Sequence, residues 1–286
     1  MSRIILLSDT HYGGDAQGYR LQPSYIERLP ELLAALTEWI HARSGVDLIL
    51  HAGDCVEQSS PELVTEAVAQ LRELSAPLLV APGNHDMTSE SAQAVWRARA
   101  ADLMPVDRVA SVVLPDCAVH ALPVHWGERP WYWDGGAPRP RLRPEDLATL
   151  QQRLKRGTDR PHLVLCHAAP QGQPAAQTGR DTDGDAPPAE YSEAWRCLGE
   201  GHAHLRLLLC GHSHINALGT LGPIHWLTAS SFVESPFEFK ELQVTDAGLE
   251  VRTHTLFPRV PWRPDYWWDA AYVQGRPRDR SLTLRW

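Results

Sequence analysis

Short runs of Ile, Leu and Val, each too brief for a helix, alternate along this chain with longer stretches whose apolar residues recur at helical spacing. The runs at residues 4–7, 47–50, 77–81, 162–166 and 205–210 read as strands buried on both faces. Between residues 24 and 43, Ile26, Leu29, Leu32, Leu33, Leu36, Trp39 and Ile40 fall on one face, so a helix is expected to pack on a sheet. Ser59 and Glu62 form a capping box, and Pro61 suits the first turn of a helix that presents Leu63, Val64, Ala67, Val68, Leu71 and Leu74. A further helix over 144–156 is expected to stop at Gly157. This rhythm is that of an α/β fold. Residues 237–244 and 249–256 break it by alternating apolar with polar residues around Thr245–Gly248, the pattern of a hairpin with one wet face.

Composition narrows the class. At 286 residues with 43% hydrophobic content, the chain suffices for one large domain or two small ones. A formal net charge of -8 lacks the cationic field that drives non-specific binding to nucleic acid, which makes nucleic acid an unlikely partner. No stretch approaches the roughly 18 to 20 apolar residues of a membrane span, and residues 1–7 run straight into a strand rather than a signal peptide. A soluble, cytoplasmic protein with no membrane partner is the expectation. Cys55, Cys117, Cys166, Cys197 and Cys210 are odd in number, widely spaced and without a C-x-x-C pair, so no disulfide is expected.

Five polar clusters sit where predicted strands end: Asp9-Thr10-His11, Gly53-Asp54, Gly83-Asn84-His85-Asp86, His167 and Gly211-His212-Ser213-His214. Loops at the carboxyl ends of neighbouring parallel strands converge on one crevice, so residues remote in sequence meet there. The clusters supply carboxylates, an amide oxygen and several imidazoles, a mixture that suits Mn, Fe, Co or Zn better than Mg or Ca. There are more donors than one ion with open positions can use. They suit two divalent ions roughly 3.5 to 4 Å apart, bridged by a carboxylate and by a water that the paired charges ionise near neutral pH. The glycines at 53, 83 and 211 are expected to turn the backbone sharply off each strand.

The order D-x-H, G-D, G-N-H-D, H, G-H-x-H resembles the calcineurin-like metallophosphoesterases, and the resemblance spans residues 4–256. It implies a four-layer α/β/β/α sandwich of two mixed β-sheets flanked by helices, with residues 1–256 as the catalytic domain and 257–286 as a C-terminal tail. It also implies that Asp9, His11 and His214 bind one metal, that Asn84, His167 and His212 bind the other, and that Asp54 bridges both. His85 then resembles the family's catalytic histidine, placed to protonate the leaving oxygen, with Asp86 orienting its imidazole. The motif order is similar to that of small bacterial members acting on phosphodiesters, including class III cyclic nucleotide phosphodiesterases. The protein Ser/Thr phosphatase branch carries G-D-x-x-D-R-G, whereas this chain reads Gly53-Asp54-Cys55-Val56-Glu57-Gln58. The expected activity is therefore hydrolysis of a small phosphodiester such as a cyclic nucleotide, with phosphomonoester hydrolysis and DNA exonuclease action as rivals.

Outside the motifs, His41, His51, His120, His162, His202, His204, His225 and His254 read as surface or satisfied core residues, while His125 is a candidate substrate contact. Three irregular segments, 125–143, 169–189 and 257–286, are rich in Pro, Gly, Trp and charge, and the first two are candidate walls of a substrate pocket. Trp126, Trp131, Tyr132 and Trp133 could stack on a nucleobase or serve lid packing or an oligomer interface. Arg139, Arg141 and Arg143 could approach a substrate phosphate or form a solvated face. In the tail, Trp262, Tyr266, Trp267, Trp268, Tyr272 and Trp286 are too many aromatics to remain in water. They either pack back on the domain or wrap a partner subunit of a homo-oligomer.

Overall fold

The computed structural model describes residues 1–15, 21–43, 45–126, 132–137, 139–157, 159–175, 184–268 and 273–286, so Trp131 and Tyr272 lie outside the described residues. Two six-stranded mixed sheets form its centre. In the first, β1 (Ser2–Leu7), β2 (Leu48–His51) and β3 (Leu78–Val80) are parallel. On the other side of β1 run β10 (Glu238–Thr245), β11 (Gly248–Thr255) and β12 (Ser281–Arg285), all antiparallel to their neighbours. The second sheet has the order β4-β5-β6-β7-β9-β8, built from β4 (Ala110–Val113), β5 (Ala118–Ala121), β6 (His162–Leu165), β7 (Leu205–Cys210), β8 (Ala217–Leu221) and β9 (Ile224–Thr228). Its strands β5, β6, β7 and β9 are parallel.

The two-residue period of a strand explains the layers. Ile4 and Leu6 of β1 join Leu48, Leu50, Leu163, Leu165, Leu207 and Leu209 in the core between the sheets. Ile5 and Leu7 face the other way, with Ile49, onto α1 (Leu29–His41), α2 (Pro61–Leu71) and α3 (Ala92–Ala100). On the far side, Val164 and Leu208 pack against Leu150 and Leu154 of α4 (Pro144–Arg156) and Tyr191 and Trp195 of α5 (Ala189–Gly201). The result is the four-layer α/β/β/α sandwich. Among the described residues, no helix is long and apolar enough to cross a membrane.

Several local expectations shift. The helix read from residue 24 starts at Leu29, after a 3₁₀ turn over Ile26–Arg28, and Pro30 occupies its first turn. The cap of α2 is Ser60, whose hydroxyl accepts from the Leu63 N–H at 3.2 Å, whereas the Ser59 hydroxyl turns to Thr88. Gly157 does end α4, its N–H bonding to the Arg153 carbonyl. The hairpin of β10 and β11 turns at Thr245–Gly248, but β10 has no wet face. On the inward face with Leu242 and Val244, Glu238 binds Arg280 and Asn216, and the Lys240 ammonium donates to Thr253. Arg280 comes from residues 257–286, whose last stretch pairs with β11 as β12.

Candidate metal centre

The carboxyl ends of β1, β2 and β3 in one sheet, and of β6 and β7 in the other, open onto the same place. Asp9 and His11 follow β1, Asp54 follows β2, Asn84 and His85 follow β3, His167 follows β6, and His212 and His214 follow β7. Asp9, His11, Asp54, His212 and His214 all hold positive φ, at 56°, 45°, 55°, 73° and 58°. For residues with a Cβ that conformation is strained, and such strain clusters where a side chain must be aimed rather than merely packed. The glycines serve two purposes. Gly53, at φ 107°, is a true left-handed turn. Gly83 and Gly211 lack positive φ, and close approach explains them: a Cβ would stand 2.1 Å from Asp54 Oδ1 or 1.9 Å from Ser8 Oγ.

The imidazoles converge through one nitrogen and are anchored through the other. His11 Nδ1 lies 2.9 Å from Glu57 Oε2, His214 Nδ1 lies 2.5 Å from Glu234 Oε1, and His167 Nδ1 lies 2.7 Å from the Ala52 carbonyl. Carboxylates and carbonyls only accept, so each Nδ1 carries a proton, and in the neutral ring each Nε2 presents a lone pair. Those Nε2 atoms meet. His11 and His214 face each other at 3.1 Å, His214 Nε2 is 3.5 Å from Asp9 Oδ1, and His167 Nε2 is 3.0 Å from Asp54 Oδ2. Asp9, His11 and His214 form one group whose donor atoms lie within 4.8 Å of one another, and Asp54, His167 and His212 form another.

Lone pairs aimed at lone pairs and carboxylates are unfavourable without a cation among them. One buried atom makes the same point: Asn84 Oδ1 has no hydrogen-bond partner. An orphaned acceptor in a buried cluster costs free energy that a bound cation would return. Without such an ion the charge balance falls to the side chains themselves. Burial raises the Asp9 carboxyl. Against burial, His167, His85 and His11 hold the Asp54 carboxyl well below its ordinary value. His167 in turn is pushed up to about 9, burial being outweighed by Asp54 and Asp9. The donor set and its geometry fit two borderline divalent cations.

Asp9, His11, Asp54, His167, His212 and His214 are thus brought together, and Asn84 is buried on the loop that leads into His85. His85 stands beside the cluster, its ring centroid 4.9 Å from that of His11. Its Nδ1 lies 3.0 Å from the Glu57 carbonyl and 3.5 Å from Glu57 Oε1. Asp86, expected to orient that imidazole, instead accepts from the backbone N–H groups of Gly83, Cys55 and Val56. It therefore fixes the loop carrying Asp54 to the loop carrying His85, and Glu57 is the carboxylate beside the imidazole. Glu57 lies three residues after Asp54, where the sequence only departs from the Ser/Thr phosphatase pattern, and Glu234 carries no sequence signal. His125, a candidate substrate contact, is buried with Nε2 3.5 Å from Asp146, which also pairs with Arg143. Trp126 is a fully buried floor packed edge-on to His167 and tilted over His212. All five cysteines are free thiols.

Among the described residues, two cavities border the cluster through different side chains. One, of about 820 Å³, is lined by His85, Glu57, Trp133 and a series of hydroxyls. The other, of about 60 Å³, is lined by His212, Gln171, Gln173 and Ser213.

A family model described as calcineurin-like phosphoesterase matches residues 2–216. The DNA double-strand break repair protein Mre11 of Saccharolobus solfataricus is 29% identical over 93 residues, covering 30% of this chain and 23% of that protein. A dimetal phosphatase from Danio rerio superposes with a TM-score of 0.71 at 12% identity, covering 99% of this chain and 98% of that one. A Staphylococcus aureus protein described as a putative 5'-nucleotidase superposes with a TM-score of 0.56 at 12% identity over 95% of this chain and 57% of that one. At such identities these likenesses speak for the fold.

Proposed function

The chain belongs to the calcineurin-like phosphoesterase family, and on that premise we propose that it hydrolyses a small phosphodiester, with cyclic nucleotides among the candidates, at a centre of two divalent metals. Asp9, His11 and His214 would hold one ion, Asn84, His167 and His212 the other, and Asp54 would reach both. When bound, such a pair supplies an activated water and neutralises charge on the phosphoryl oxygens. Mn, Fe, Co and Zn all suit these donors.

The observation that carries the reading is the placement of His85 between this cluster and the larger cavity. Its Nδ1–H is committed to the Glu57 carbonyl, so Nε2 is the atom that can serve a substrate. The Glu57 carboxylate stands 3.5 Å from that Nδ1, and a proton carried at Nε2 would pass to the departing alkoxide. Asp86 keeps the two loops in register, so the acid and the ligands hold one spacing. Hydrolysis of a monoester is the second reading. The cavity beside His212 favours it, because about 60 Å³ leaves little room for a second substituent.

The test is to strip the protein of metal and restore Mn, Fe, Co or Zn separately. Hydrolysis of bis(p-nitrophenyl) phosphate is then compared with that of p-nitrophenyl phosphate. Faster cleavage of the diester is expected; faster cleavage of the monoester would replace this proposal with its alternative.

A further inference from the structure

We infer that the cavity beside His85 receives the leaving alcohol, and that this alcohol is a neutral polyhydroxylated ring, a free sugar or the sugar of a nucleoside; the inference rests on the phosphoesterase reading above. The leaving oxygen must lie within reach of His85 Nε2, so the carbon skeleton attached to it begins alongside whatever covers His85. That group is Trp133, whose ring centroid is 4.7 Å from the imidazole. The indole is pinned at both ends, its backbone N–H donating to the Met87 carbonyl and its Nε1–H to the Gly136 carbonyl. It offers a fixed apolar face at the start of the cavity.

Beyond that face the lining is made of hydroxyls. Ser59 and Thr88 lie 2.9 Å apart and Ser89 and Ser91 lie 3.1 Å apart, and Ser60 borders the same space. Ser59 Oγ and Thr88 Oγ1 also accept from each other's backbone N–H and Ser60 Oγ accepts from Leu63, so each hydroxyl, able to donate once and accept twice, keeps part of its capacity for a ligand. Glu57 and Asp134 add two carboxylates, and no Lys or Arg occurs among the described residues that line it. An alcohol bearing a second phosphate or a carboxylate would meet Asp134 with no Lys or Arg among the described lining residues to offset it, His85 being engaged at the reacting oxygen. A purely apolar alcohol would displace water from the hydroxyls and return nothing. A sugar answers both surfaces, with a C–H face for Trp133 and hydroxyls for the serines and carboxylates.

The other cavity limits the rest of the substrate. Among the described residues it measures about 60 Å³ beside His212, much the smaller of the two, and it contains Gln173, whose buried Oε1 has no partner. The bulkier substituent on phosphorus therefore belongs on the His85 side, and the smaller one, where there is one, beside His212. In the step itself, the oxygen of water bonds to phosphorus and the P–O bond to the sugar breaks. The sugar oxygen takes the proton from His85 Nε2, and a proton from the attacking water is left to restore it.

The test uses the Mn-loaded protein and three methyl phosphodiesters, esterified with glucose through O6, with cyclohexylmethanol, or with gluconate through O6. Glucose and methyl phosphate should be released with a kcat/KM at least about tenfold above that for the cyclohexylmethyl ester, and the anionic ester should be slowest. Trp133→Ala and Asp134→Ala should each shrink the glucose-to-cyclohexylmethyl ratio. Equal rates for the three esters, release of methanol in place of glucose, or an unchanged ratio in both variants would overturn the inference. Turnover of bis(p-nitrophenyl) phosphate separates the two levels. If that ester is cleaved while glucose is not preferred, only the sugar assignment falls; if metal is bound and no ester is cleaved, the phosphoesterase reading falls with it.

Discussion

Two groups of buried histidines occupy the same sandwich, and they are wired in opposite ways. Between β5 and β6, the Arg153 guanidinium donates to the Ser111 hydroxyl, which donates to His120 Nδ1 at 2.5 Å. His120 Nε2–H then donates to His162 Nδ1 at 2.8 Å, and His162 Nε2–H donates to the Gly157 carbonyl at 2.6 Å. Every donor in that row meets an acceptor, and nothing is left for a ligand. At the ends of β1 and β7 the protons of His11 and His214 point outward to carboxylates, and the lone pairs face each other. Burial and residue type are alike in the two groups. The direction in which each ring spends its proton separates a closed structural row from a centre that needs a cation.

The sharpest way to break this contrast is to remove the carboxylate at the middle of the open group. Asp54→Ala is expected to lose at least one ion per chain and at least about a thousandfold in activity, because Asp54 faces His11, His167 and the His85 backbone together. Metal analysis of the purified variant measures the first. A full complement of metal would refute the ligand assignment. His85→Ala is expected to keep both ions and lose about 10² to 10⁴ in kcat, most severely for poor leaving groups. A uniform loss across leaving groups would remove His85 from the acid role.

The carboxylates that turn the protons outward give an intermediate effect. Glu57→Gln and Glu234→Gln should each weaken metal affinity or activity about 10- to 100-fold, with Glu57→Gln also changing the pH profile of kcat because it stands beside His85. Equilibrium titration with Mn, followed by pH–rate profiles, distinguishes the two. If both variants match the parent in affinity and profile, the orientation of the imidazoles does not depend on these carboxylates.

The difference between these residues and the ligands also explains what was legible in sequence. Asp9, His11, Asp54, Asn84, His85, His167, His212 and His214 are recognisable because each sits at a strand end within a short motif, and strand ends follow from apolar runs. Glu234 is visible only after folding, since it meets His214 across 20 residues of chain that contain β8 and β9. Asp86 was misread for a related reason. Adjacency to His85 in sequence suggests contact, but the 3₁₀ turn at His85–Met87 sends the Asp86 carboxylate to the Cys55 and Val56 N–H groups and the His85 ring to the Glu57 carbonyl. The hairpin strand β10 alternates polar and apolar residues as a half-exposed strand would, yet Glu238 and Lys240 are buried because distant groups, Arg280 and Thr253, cover and satisfy them. Strands β4, β5, β8, β9 and β12 lack the unbroken Ile, Leu and Val runs that mark β2, β3 and β6: β5 and β9 carry His120 and His225, β8 carries Gly219, and β4 and β12 are half-exposed edge strands with Ser and Thr among their apolar residues.

The closed row yields the smallest effect and the cleanest control. Burial, followed by the neighbouring His162, pushes His120 down to about 3 from its ordinary 6.5, and His162 is lowered in the same direction. Between those two values the unfolded chain binds a proton that the folded chain refuses, so stability rises with pH across the window and is lost as pH falls from 6.5 toward 3. His120→Gln should remove one such group. Its unfolding free energy should therefore fall less steeply with acid than that of the parent, by about 1.4 kcal/mol per pH unit, while its metal content stays full. Urea unfolding at several pH values, with both proteins at the same metal load, reads the slope directly. His51, also lowered to about 3 by burial, is common to both proteins and cancels from the difference. Identical slopes would show that the row is protonated in the folded state. A loss of metal in His120→Gln would show that the two groups of histidines are coupled through β6, and that the contrast between them is not local.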